Sequence, residues 1–415
     1  MFLNIQIRNI SGINEKIEID FISKARNRKD LKSVVRTHDN IYINKQLAII
    51  GGNSSGKTSI LNSIAQVGSF ISAPWDKKVL YEDLQKEDNE VDITSIKKIM
   101  RQIGNIVQNV NSENEMSEFK SLMYIVTEDK KTTGYYTYKL LFNRNINKYG
   151  VLNESLSYRE NYNSKEEIKL IDISGNFESQ VGYLVLYHEN LRSTNQLNQI
   201  ENIDYIKAFF NHYINFSELL AADSDLFDIE YPALMLAIKE PQLLRQIIKI
   251  IDRDIDDFIV KEESEEEKSL YFINKMNKEV NFKYLSTGTK KMLRVLFEVY
   301  RGIKRNGVFV IDEIEMGLHF DLSKLIIRLF YKNDDYSQII FTTHYPELLD
   351  EDFKNDQILY LEKKECNIIA SKLIDCIIEG NKVRTDMTFS KLYRNKKIAF
   401  QPDEIEIESF KKDFI

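Results

Sequence analysis

The sequence predicts an α/β protein, and two kinds of apolar pattern indicate this fold class. Three runs, LAII at 47–50, VFVI at 308–311 and IIFTT at 339–343, are largely apolar without alternation. Such runs are typical of strands that are buried on both faces of a parallel sheet. Helical spacing of apolar residues follows the first run and precedes the second. The sequence therefore predicts an α/β core of buried strands and helices.

Alternation of apolar and polar residues predicts a second, antiparallel sheet. It occurs in four runs separated by polar or glycine-bearing breaks: FKSLMYIVT, GYYTYKLLF, GVLNESLSY and EEIKLIDIS. A period of two residues is typical of strands with one buried face. We expect these runs to form an antiparallel β lobe beside the α/β core.

The composition narrows the class of protein. The chain has 415 residues, of which 43% are hydrophobic, so a core domain with insertions or two lobes is expected. Its 64 acidic and 57 basic residues give a net charge of -7, which does not support nucleic-acid binding through an overall basic field. Two cysteines are too few for a disulfide framework or a zinc cluster of the Cys-x-x-Cys type. The N-terminus lacks the apolar core of a signal peptide, and no run of about 18 apolar residues occurs, so a cytoplasmic protein is expected.

The first 45 residues predict a hairpin followed by a charged segment. Residues 2–9 and 16–22 carry apolar side chains at alternate positions, as strands with one buried face do. The segment 24–45 is rich in lysine and arginine. A solvated surface loop is the expected structure, and a contact with a nucleotide base, nucleic acid or a partner is the alternative.

The middle of the chain predicts helices inserted between strands. Residues 76–117 repeat isoleucine and valine at helical spacing, which predicts an inserted amphipathic helix. Two further helical patterns cover 203–214 and 243–255, with Pro241 near the start of the second, where a missing N–H does no harm. The acidic run 262–267 lies between two strand patterns and is expected to form a solvated turn.

These patterns divide the chain into four predicted units. Residues 1–75 are expected to form the N-terminal part of the α/β core, and residues 76–195 are expected to form the inserted helix and the antiparallel β lobe. Residues 196–283 form an inserted helical subdomain with a β hairpin, and residues 284–415 form the C-terminal part of the core.

The segment GGNSSGKTS at 51–59 matches the phosphate-loop (P-loop) pattern in full, between a predicted strand and a predicted helix. Backbone N–H groups of such a loop, together with the N-terminus of the following helix, bind phosphate groups. Lys57 is expected to bridge the outer phosphates, and the Thr58 hydroxyl is suited to a magnesium ion. A Gly/Ser turn before a helix is the alternative. The candidate nucleotide-binding residues are Gly51, Gly52, Asn53, Ser54, Ser55, Gly56, Lys57, Thr58 and Ser59.

Two carboxylates follow the second apolar run, and a histidine follows the third. Asp312 is a candidate ligand of magnesium together with Thr58, and Glu313 is a candidate base for an attacking water molecule. An acidic turn at the end of a strand is the alternative. His344 is a candidate donor to a terminal phosphate, and simple packing or solvent exposure is its alternative. The predicted catalytic residues are thus Glu313, His344 and Lys57, and the predicted cofactors are ATP and Mg²⁺.

The segment LSTGT at 285–289 precedes the helical pattern of the second half. A serine at this point is a good helix cap, so a capped helix start is one interpretation. In its order with the P-loop, VIDE and TTH, the segment resembles the signature of ABC-type ATPases, which closes over the γ-phosphate bound by a second subunit. The resemblance adds Ser286 and Gly288 to the candidate ATP-binding residues.

Taken together, the motifs resemble ABC-type, AAA-family ATPases of bacterial anti-phage and abortive-infection systems. This branch is related to the overcoming-lysogenization-defect proteins and to the ATPase heads of break-repair and structural-maintenance proteins. The segments that carry the resemblance are VLNESL, IIDRDIDDFIVKEE, STGTKKML, IDEIEMGLH, FTTHYPELLD, NDQILYLEK and VRTDMTFSKLYRN. It spans most of the chain and leaves 24–45 and 76–117 largely outside.

The chain departs from the resembling families at several points. Thr287 and Thr289 stand where the transporter signature has glycine and glutamine, and Phe320 stands where many relatives have proline. No glutamine of a Q-loop is identified, because Gln66 falls within the predicted P-loop helix. About 70 residues follow the switch histidine, too few for the Toprim nuclease of the larger family members.

The resemblance implies an ATPase that forms homo-oligomers through head-to-tail dimers. It also implies a sensor or scaffold that controls a separately encoded toxic effector, for which a nuclease is expected, in response to a phage-derived trigger. The alternative function is a DNA-associated ATPase in repair or chromosome maintenance, with the basic segment 24–45 as its contact. An energy subunit of a transporter is disfavoured, because the long insertions do not resemble such subunits, and no membrane partner is predicted.

Overall fold

The computed structural model describes most of the chain in segments. The described residues are 1–23, 32–72, 116–127, 130–143, 151–176, 202–213, 217–219, 230–262, 268–304, 306–315, 318–331, 336–350, 353–364, 367–373, 375 and 389–394.

An antiparallel six-stranded sheet forms one layer of the molecule. Its strands are β1 (Phe2–Arg8), β2 (Ile17–Asp20), β6 (Met116–Ile125), β7 (Gly134–Asn143), β8 (Val151–Arg159) and β9 (Ile168–Asn176). Their order is β2-β1-β6-β7-β8-β9. The four alternating runs thus form the predicted antiparallel sheet, and the N-terminal hairpin extends it through pairing of β1 with β6.

A second six-stranded sheet carries the predicted site. Its strands are β5 (Gln46–Gly51), β10 (Ser217–Leu219), β14 (Val308–Ile311), β15 (Gln338–Thr342), β16 (Ile358–Lys364) and β17 (Asn367–Lys372). The order is β10-β14-β15-β5-β16-β17, and all neighbours are parallel except β16 and β17. The three apolar runs lie side by side as β14, β15 and β5. Since these strands are parallel, the polar residues that follow them meet at one edge of the sheet.

Two smaller sheets, seven α-helices and three short 3-10 helices (Phe282–Tyr284, Pro346–Leu349 and Asn355–Gln357) complete the described part of the chain. Strands β3 (Val34–Arg36) and β4 (Tyr42–Asn44) pair with each other, and a three-stranded sheet joins β11 (Ile255–Glu262), β12 (Lys268–Asn274) and β13 (Glu279–Asn281). The helices are α1 (Lys57–Ser72), α2 (Ile203–Tyr213), α3 (Glu230–Lys239), α4 (Pro241–Ile251), α5 (Thr287–Lys304), α6 (Phe320–Tyr331) and α7 (Phe389–Arg394).

Alternate residues of the mainly parallel sheet point to opposite faces and pack into two different hydrophobic cores. Leu47 and Ile49 of β5 belong to a core shared with the antiparallel sheet, α1 and α2. Ala48 and Ile50 of the same strand belong to the other core, which includes residues of α3 to α6 and the three-stranded sheet. The continuous apolar run of β5 therefore reflects burial on both faces.

Several sequence expectations need correction. The second helical pattern of the sequence includes Ile255. In the structure, α4 ends at Ile251 and Ile255 begins β11. The helix stops because Asp252 takes an extended backbone, with φ -141° and ψ 113°. The predicted surface loop at 24–45 contains β3 and β4, and Val35 is buried in the first core. The described structure therefore supports a solvated loop only in part, and residues 24–31 lie outside the described residues.

Other expectations concern segments outside the described residues. The predicted amphipathic helix at 76–117 lies almost entirely within 73–115, which is outside the described residues. The last two residues of the predicted range, 116 and 117, belong to β6. The predicted acidic turn falls on 263–267, also outside the described residues, and β11 and β12 flank it. Pro241 is the first residue of α4, as expected.

Candidate functional site

The phosphate loop joins the end of β5 to the start of α1 and requires glycine at one position above all. Gly56 has φ +100°, a backbone conformation that side chains with a Cβ rarely adopt. A Cβ at this position would lie 2.2 Å from Cδ1 of Ile368 on β17. Ser54 also has a positive φ, of 62°. Glycine at position 56 therefore allows both the turn of the loop and the close approach of β17.

Lys57 is buried at the first position of α1. Its ammonium group donates hydrogen bonds to the carbonyl oxygens of Gly51 and Gly52, each at 3.0 Å. Burial lowers the pKa of Lys57, while the nearby carboxylates of Asp312, Glu313 and Glu315 act in the opposite direction. The ammonium group is thus held against the carbonyl oxygens of the loop.

Thr58 and Asp312 lie together, although they are separated by more than half of the chain. The Thr58 hydroxyl donates to Oδ2 of Asp312 at 3.0 Å. This contact follows from the sheet order, because β14 is separated from β5 only by β15. A hydroxyl and a carboxylate are hard oxygen ligands of the kind that magnesium takes beside phosphate oxygens and water. The two residues present therefore fit a magnesium ion.

Glu313 follows Asp312 at a sharp turn of the backbone. Its φ is 48°, and its N–H donates to the Thr342 hydroxyl at 2.7 Å. Oε1 of Glu313 lies 3.7 Å from Nε2 of His344, and both side chains are a little more than one third exposed. A carboxylate and an imidazole thus face solvent together beside the P-loop, where a water molecule could reach them.

Ser286 and Gly288 lie at the start of α5, and both are exposed. The Ser286 hydroxyl accepts a hydrogen bond from Thr289 N at 3.0 Å, as an N-cap side chain does. It also contacts the Thr289 hydroxyl at 2.8 Å. Ser286 is therefore not part of the hydrogen-bond network that joins Thr58, Asp312 and Thr342 in the same chain.

The remaining predicted P-loop residues take different positions. Asn53 and Ser54 are exposed at the tip of the loop. Ser55 is buried, and its hydroxyl has no hydrogen-bond partner among the described residues. The carbonyl of Ser59 accepts from Ser63 within α1. Gln66 accepts a hydrogen bond from Ser11 at 3.4 Å, and no residue of the Q-loop type is assigned.

Sequence reasoning missed two residues of the site. Thr342 donates from its hydroxyl to Oδ1 of Asp312 at 2.5 Å. Glu315 accepts the backbone N–H of His344, and its second carboxylate oxygen is buried without a partner among the described residues. A hydroxyl at the end of an apolar strand and a third acid in VIDEIE were the available signals.

A family model matches residues 47–350, which is well over half of the chain. Its description reads "AAA domain, putative AbiEii toxin, Type IV TA system". The matched range begins in β5 and includes the P-loop, Ser286, the carboxylate turn and His344. No curated protein matches the chain. None of the described helices is long and apolar enough to cross a membrane.

Three solved structures of SMC heads are similar to the chain. The SMC head domain from Thermotoga maritima shares 9% identity at a TM-score of 0.43, covering 89% of this chain and 98% of that one. An SMC head bound to the C-winged helix domain of ScpA shares 13% identity with this chain at a TM-score of 0.43. The match covers 90% of this chain and 99% of that one. An SMC head with an extended coiled coil, bound to the C-terminal domain of ScpA derived from Pyrococcus furiosus, shares 11% identity with this chain at a TM-score of 0.38. The match covers 91% of this chain and 97% of that one.

The family match agrees with the architecture described above. A P-loop joins a strand of a mainly parallel sheet to a helix, and an acidic turn ends a neighbouring strand of that sheet. The predicted fold class, a P-loop NTPase with an antiparallel β lobe, is confirmed. The chain belongs to the AAA-domain family whose model is described as AbiEii-type.

Proposed function

We propose that this protein binds ATP at Gly51–Ser59 and hydrolyses it. The observation that carries the proposal is the meeting of the P-loop, the Thr58–Asp312 pair and the Glu313–His344 pair at one edge of the parallel sheet. Phosphoryl transfer needs few covalent steps from the protein. It needs phosphate neutralisation and a positioned water molecule, and these side chains are suited to both tasks.

The residues divide the work by their chemistry. Lys57 and the N–H groups at the start of α1 neutralise the phosphate chain, and Thr58 and Asp312 would hold magnesium, which would supply further neutralisation of negative charge. Glu313 accepts a proton from the attacking water, or orients it, and His344 donates to the terminal phosphate. Because Oε1 of Glu313 and Nε2 of His344 are 3.7 Å apart, both groups could act on the same water molecule and terminal phosphate.

The signature segment is proposed to act on a second subunit. Ser286 and Gly288 are exposed at the N-terminus of an 18-residue helix whose first turn has no acidic residue. Such a helix end carries a partial positive charge that favours phosphate. A head-to-tail dimer would place it against the γ-phosphate held by the other chain. Hydrolysis would then remove the bridging group and weaken the closed dimer.

The proposed biological role is control of a separately encoded toxic effector, expected to be a nuclease, in anti-phage defence of the abortive-infection type. The AbiEii-type description of the family and the resemblance of the motifs support this role. Its test is expression of the chain with its genomic neighbours in cells challenged with phage. Protection that requires Lys57 and an effector that co-purifies with the chain are the expected results. Equal survival of wild-type and Lys57→Ala cells would reject the defensive role while leaving ATP hydrolysis open to its own test.

A further inference from the structure

Thr342 is a buried polar residue that contacts the carboxylate of Asp312 and the backbone of Glu313. It is the last residue of β15, and its side chain is completely buried. Its hydroxyl donates to Oδ1 of Asp312 at 2.5 Å and accepts from the N–H of Glu313 at 2.7 Å. Its carbonyl accepts from Ile314 N at 3.1 Å. Thr342 at the end of β15 therefore holds three consecutive residues of the turn that follows β14.

The donated hydrogen bond fixes the orientation of the Asp312 carboxylate. Because Oδ1 is occupied by Thr342, Oδ2 is the oxygen that points to the Thr58 hydroxyl, 3.0 Å away. A carboxylate ligand that is held in this way by a neighbouring group binds a metal ion with less loss of rotational freedom. Thr342 thus determines which oxygen of Asp312 faces the magnesium position.

The accepted hydrogen bond fixes the backbone of Glu313. A φ of 48° is uncommon for a glutamate and is retained only where surrounding contacts support it. The N–H to Thr342 is such a contact, and it determines the direction in which the Glu313 side chain leaves the turn. That direction leads to His344, whose Nε2 is 3.7 Å from the carboxylate.

We propose that Thr342 is a positioning residue that couples the metal-holding carboxylate of Asp312 to the backbone of the water-activating Glu313 through a single hydroxyl. The proposal rests on the ATP hydrolysis proposed above. It predicts that loss of this hydroxyl impairs the use of magnesium and the rate of hydrolysis together, while ATP affinity changes little, since the P-loop lysine is held by the carbonyls of Gly51 and Gly52.

The test compares Thr342→Val, which keeps the shape but removes the hydroxyl, with Thr342→Ser, which keeps it. For Thr342→Val we expect kcat to fall about 30-fold and the Mg²⁺ concentration for half-maximal activity to rise about tenfold, in the range of effects known for residues that orient metal ligands. The KM for ATP should stay within about threefold, because phosphate binding remains intact. Thr342→Ser should recover kcat and the Mg²⁺ dependence to within about threefold.

Thr37 provides a matched control far along the chain. Its hydroxyl donates to Oδ1 of Asp39 at 2.7 Å and accepts from Ile41 N at 2.9 Å, and its side chain is 3% exposed. Thr37→Val therefore removes the same pair of hydrogen bonds from a buried threonine outside the site. We expect it to lower the unfolding midpoint as Thr342→Val does, with kcat and Mg²⁺ dependence unchanged.

Each result decides the proposal. Wild-type kcat and Mg²⁺ dependence in Thr342→Val, or failure of Thr342→Ser to recover them, would overturn it. If Thr342→Val does not fold, Thr342→Cys replaces it, since a thiol is a weak donor and acceptor and should give intermediate values. A wild-type protein that binds a fluorescent ATP analogue but never hydrolyses ATP would reject the proposed function instead. In that case an equal Mg²⁺ concentration for half-maximal analogue binding in wild type and Thr342→Val would reject the positioning role as well.

Discussion

Individual residues of the P-loop are constrained by neighbours that are remote in sequence. Gly56 is an example, because its φ of +100° and its contact with Ile368 both exclude a side chain. The pattern of the loop predicts the glycine, but the reason for it includes a strand near the other end of the chain. The shape that binds phosphate is therefore set by the packing of β17 as well as by the loop itself.

A Gly56→Ala substitution should distort the loop. A non-glycine residue in the left-handed region costs about 1–2 kcal/mol, and the added Cβ must also displace Ile368. We expect a lower urea midpoint and at least about tenfold weaker binding of an ATP analogue. Gly302→Ala is the control, since a Cβ there meets nothing within 4 Å and Gly302 lies within α5. Equal behaviour of the two variants would contradict the proposed constraint.

Glu313→Gln tests the residue assigned to water activation. Glutamine keeps the size of the side chain but does not accept a proton, so hydrolysis should fall about 100-fold or more while ATP binding persists. The measurement is phosphate release at saturating ATP, together with analogue binding. Glu279→Gln, at a half-exposed ion pair with Lys261 in the three-stranded sheet, should match the wild type. Wild-type turnover in Glu313→Gln would reject the assigned role.

At the scale of elements, the sequence predicts those whose pattern is local. The strands β5, β14 and β15 follow from apolar runs, and the helix α5 follows from its spacing and from Ser286 as a cap. The end of α4 is missed, because Ile255 continues the helical spacing while Asp252 leaves the helix. The hairpin β16–β17 is missed because its first strand is placed by pairing with β5, a partner from the N-terminal part of the chain.

In the candidate site too, the sequence predicts the residues that lie in short local motifs. The P-loop lysine, Asp312 and Glu313 occupy recognisable positions in short motifs, and the sheet brings them together. Thr342 and Glu315 act through contacts between β15 and the turn after β14. Such contacts depend on which strands are neighbours, and no spacing along the chain records this order.

The buried Glu154 on β8 should make stability depend on pH. Its Oε1 accepts the Tyr138 hydroxyl at 2.9 Å, its Oε2 has no partner among the described residues, and burial raises the pKa to about 7 from a usual value near 4.5. The folded state therefore binds a proton that the unfolded state has already released. The free energy of unfolding should be highest below pH 4.5 for this group and should fall by about 3 kcal/mol as the pH rises to about 7.

Glu154→Gln removes this titration and keeps an acceptor for Tyr138. Urea unfolding at pH 5.5 and pH 8 measures the difference. We expect the wild type to lose more stability than Glu154→Gln between these two values, because only the wild type must ionise a buried group. Parallel pH profiles for the two proteins would mean that Glu154 does not carry the raised pKa.

Ser286 has one visible structural role and one proposed functional role, and two substitutions separate them. Asn and Asp both cap helices, so Ser286→Asn and Ser286→Asp should fold equally well. If Ser286 meets a phosphate of the second subunit, the negative charge of Asp should reduce hydrolysis at least about tenfold below that of Asn. Phosphate release at equal protein concentration measures the ratio. A ratio near one would leave Ser286 as a helix cap alone.

The whole molecule consists of a mainly parallel sheet with a hydrophobic core on each face. One core joins it to the antiparallel sheet and the other to helices α3 to α6 and the three-stranded sheet. The P-loop and carboxylates lie at one edge of this sheet, and among the described residues the Ser286 hydroxyl bonds to Thr289 at the start of α5. The proposed function combines the P-loop of one subunit with the signature segment of another.

Mixing two inactive variants tests this central claim most directly. Lys57→Ala inactivates the P-loop and Ser286→Asp inactivates the signature, so each protein alone should lack hydrolysis. The predicted reduction for Ser286→Asp leaves at most a low residual rate, which is the baseline for the mixture. If the dimer is head-to-tail, one site of a mixed dimer contains both substitutions and the other contains neither. Mixing at equal concentrations should therefore restore about one quarter of wild-type hydrolysis, since half of the dimers are mixed and each retains one site. Absence of any recovery at every mixing ratio would contradict a site shared between subunits.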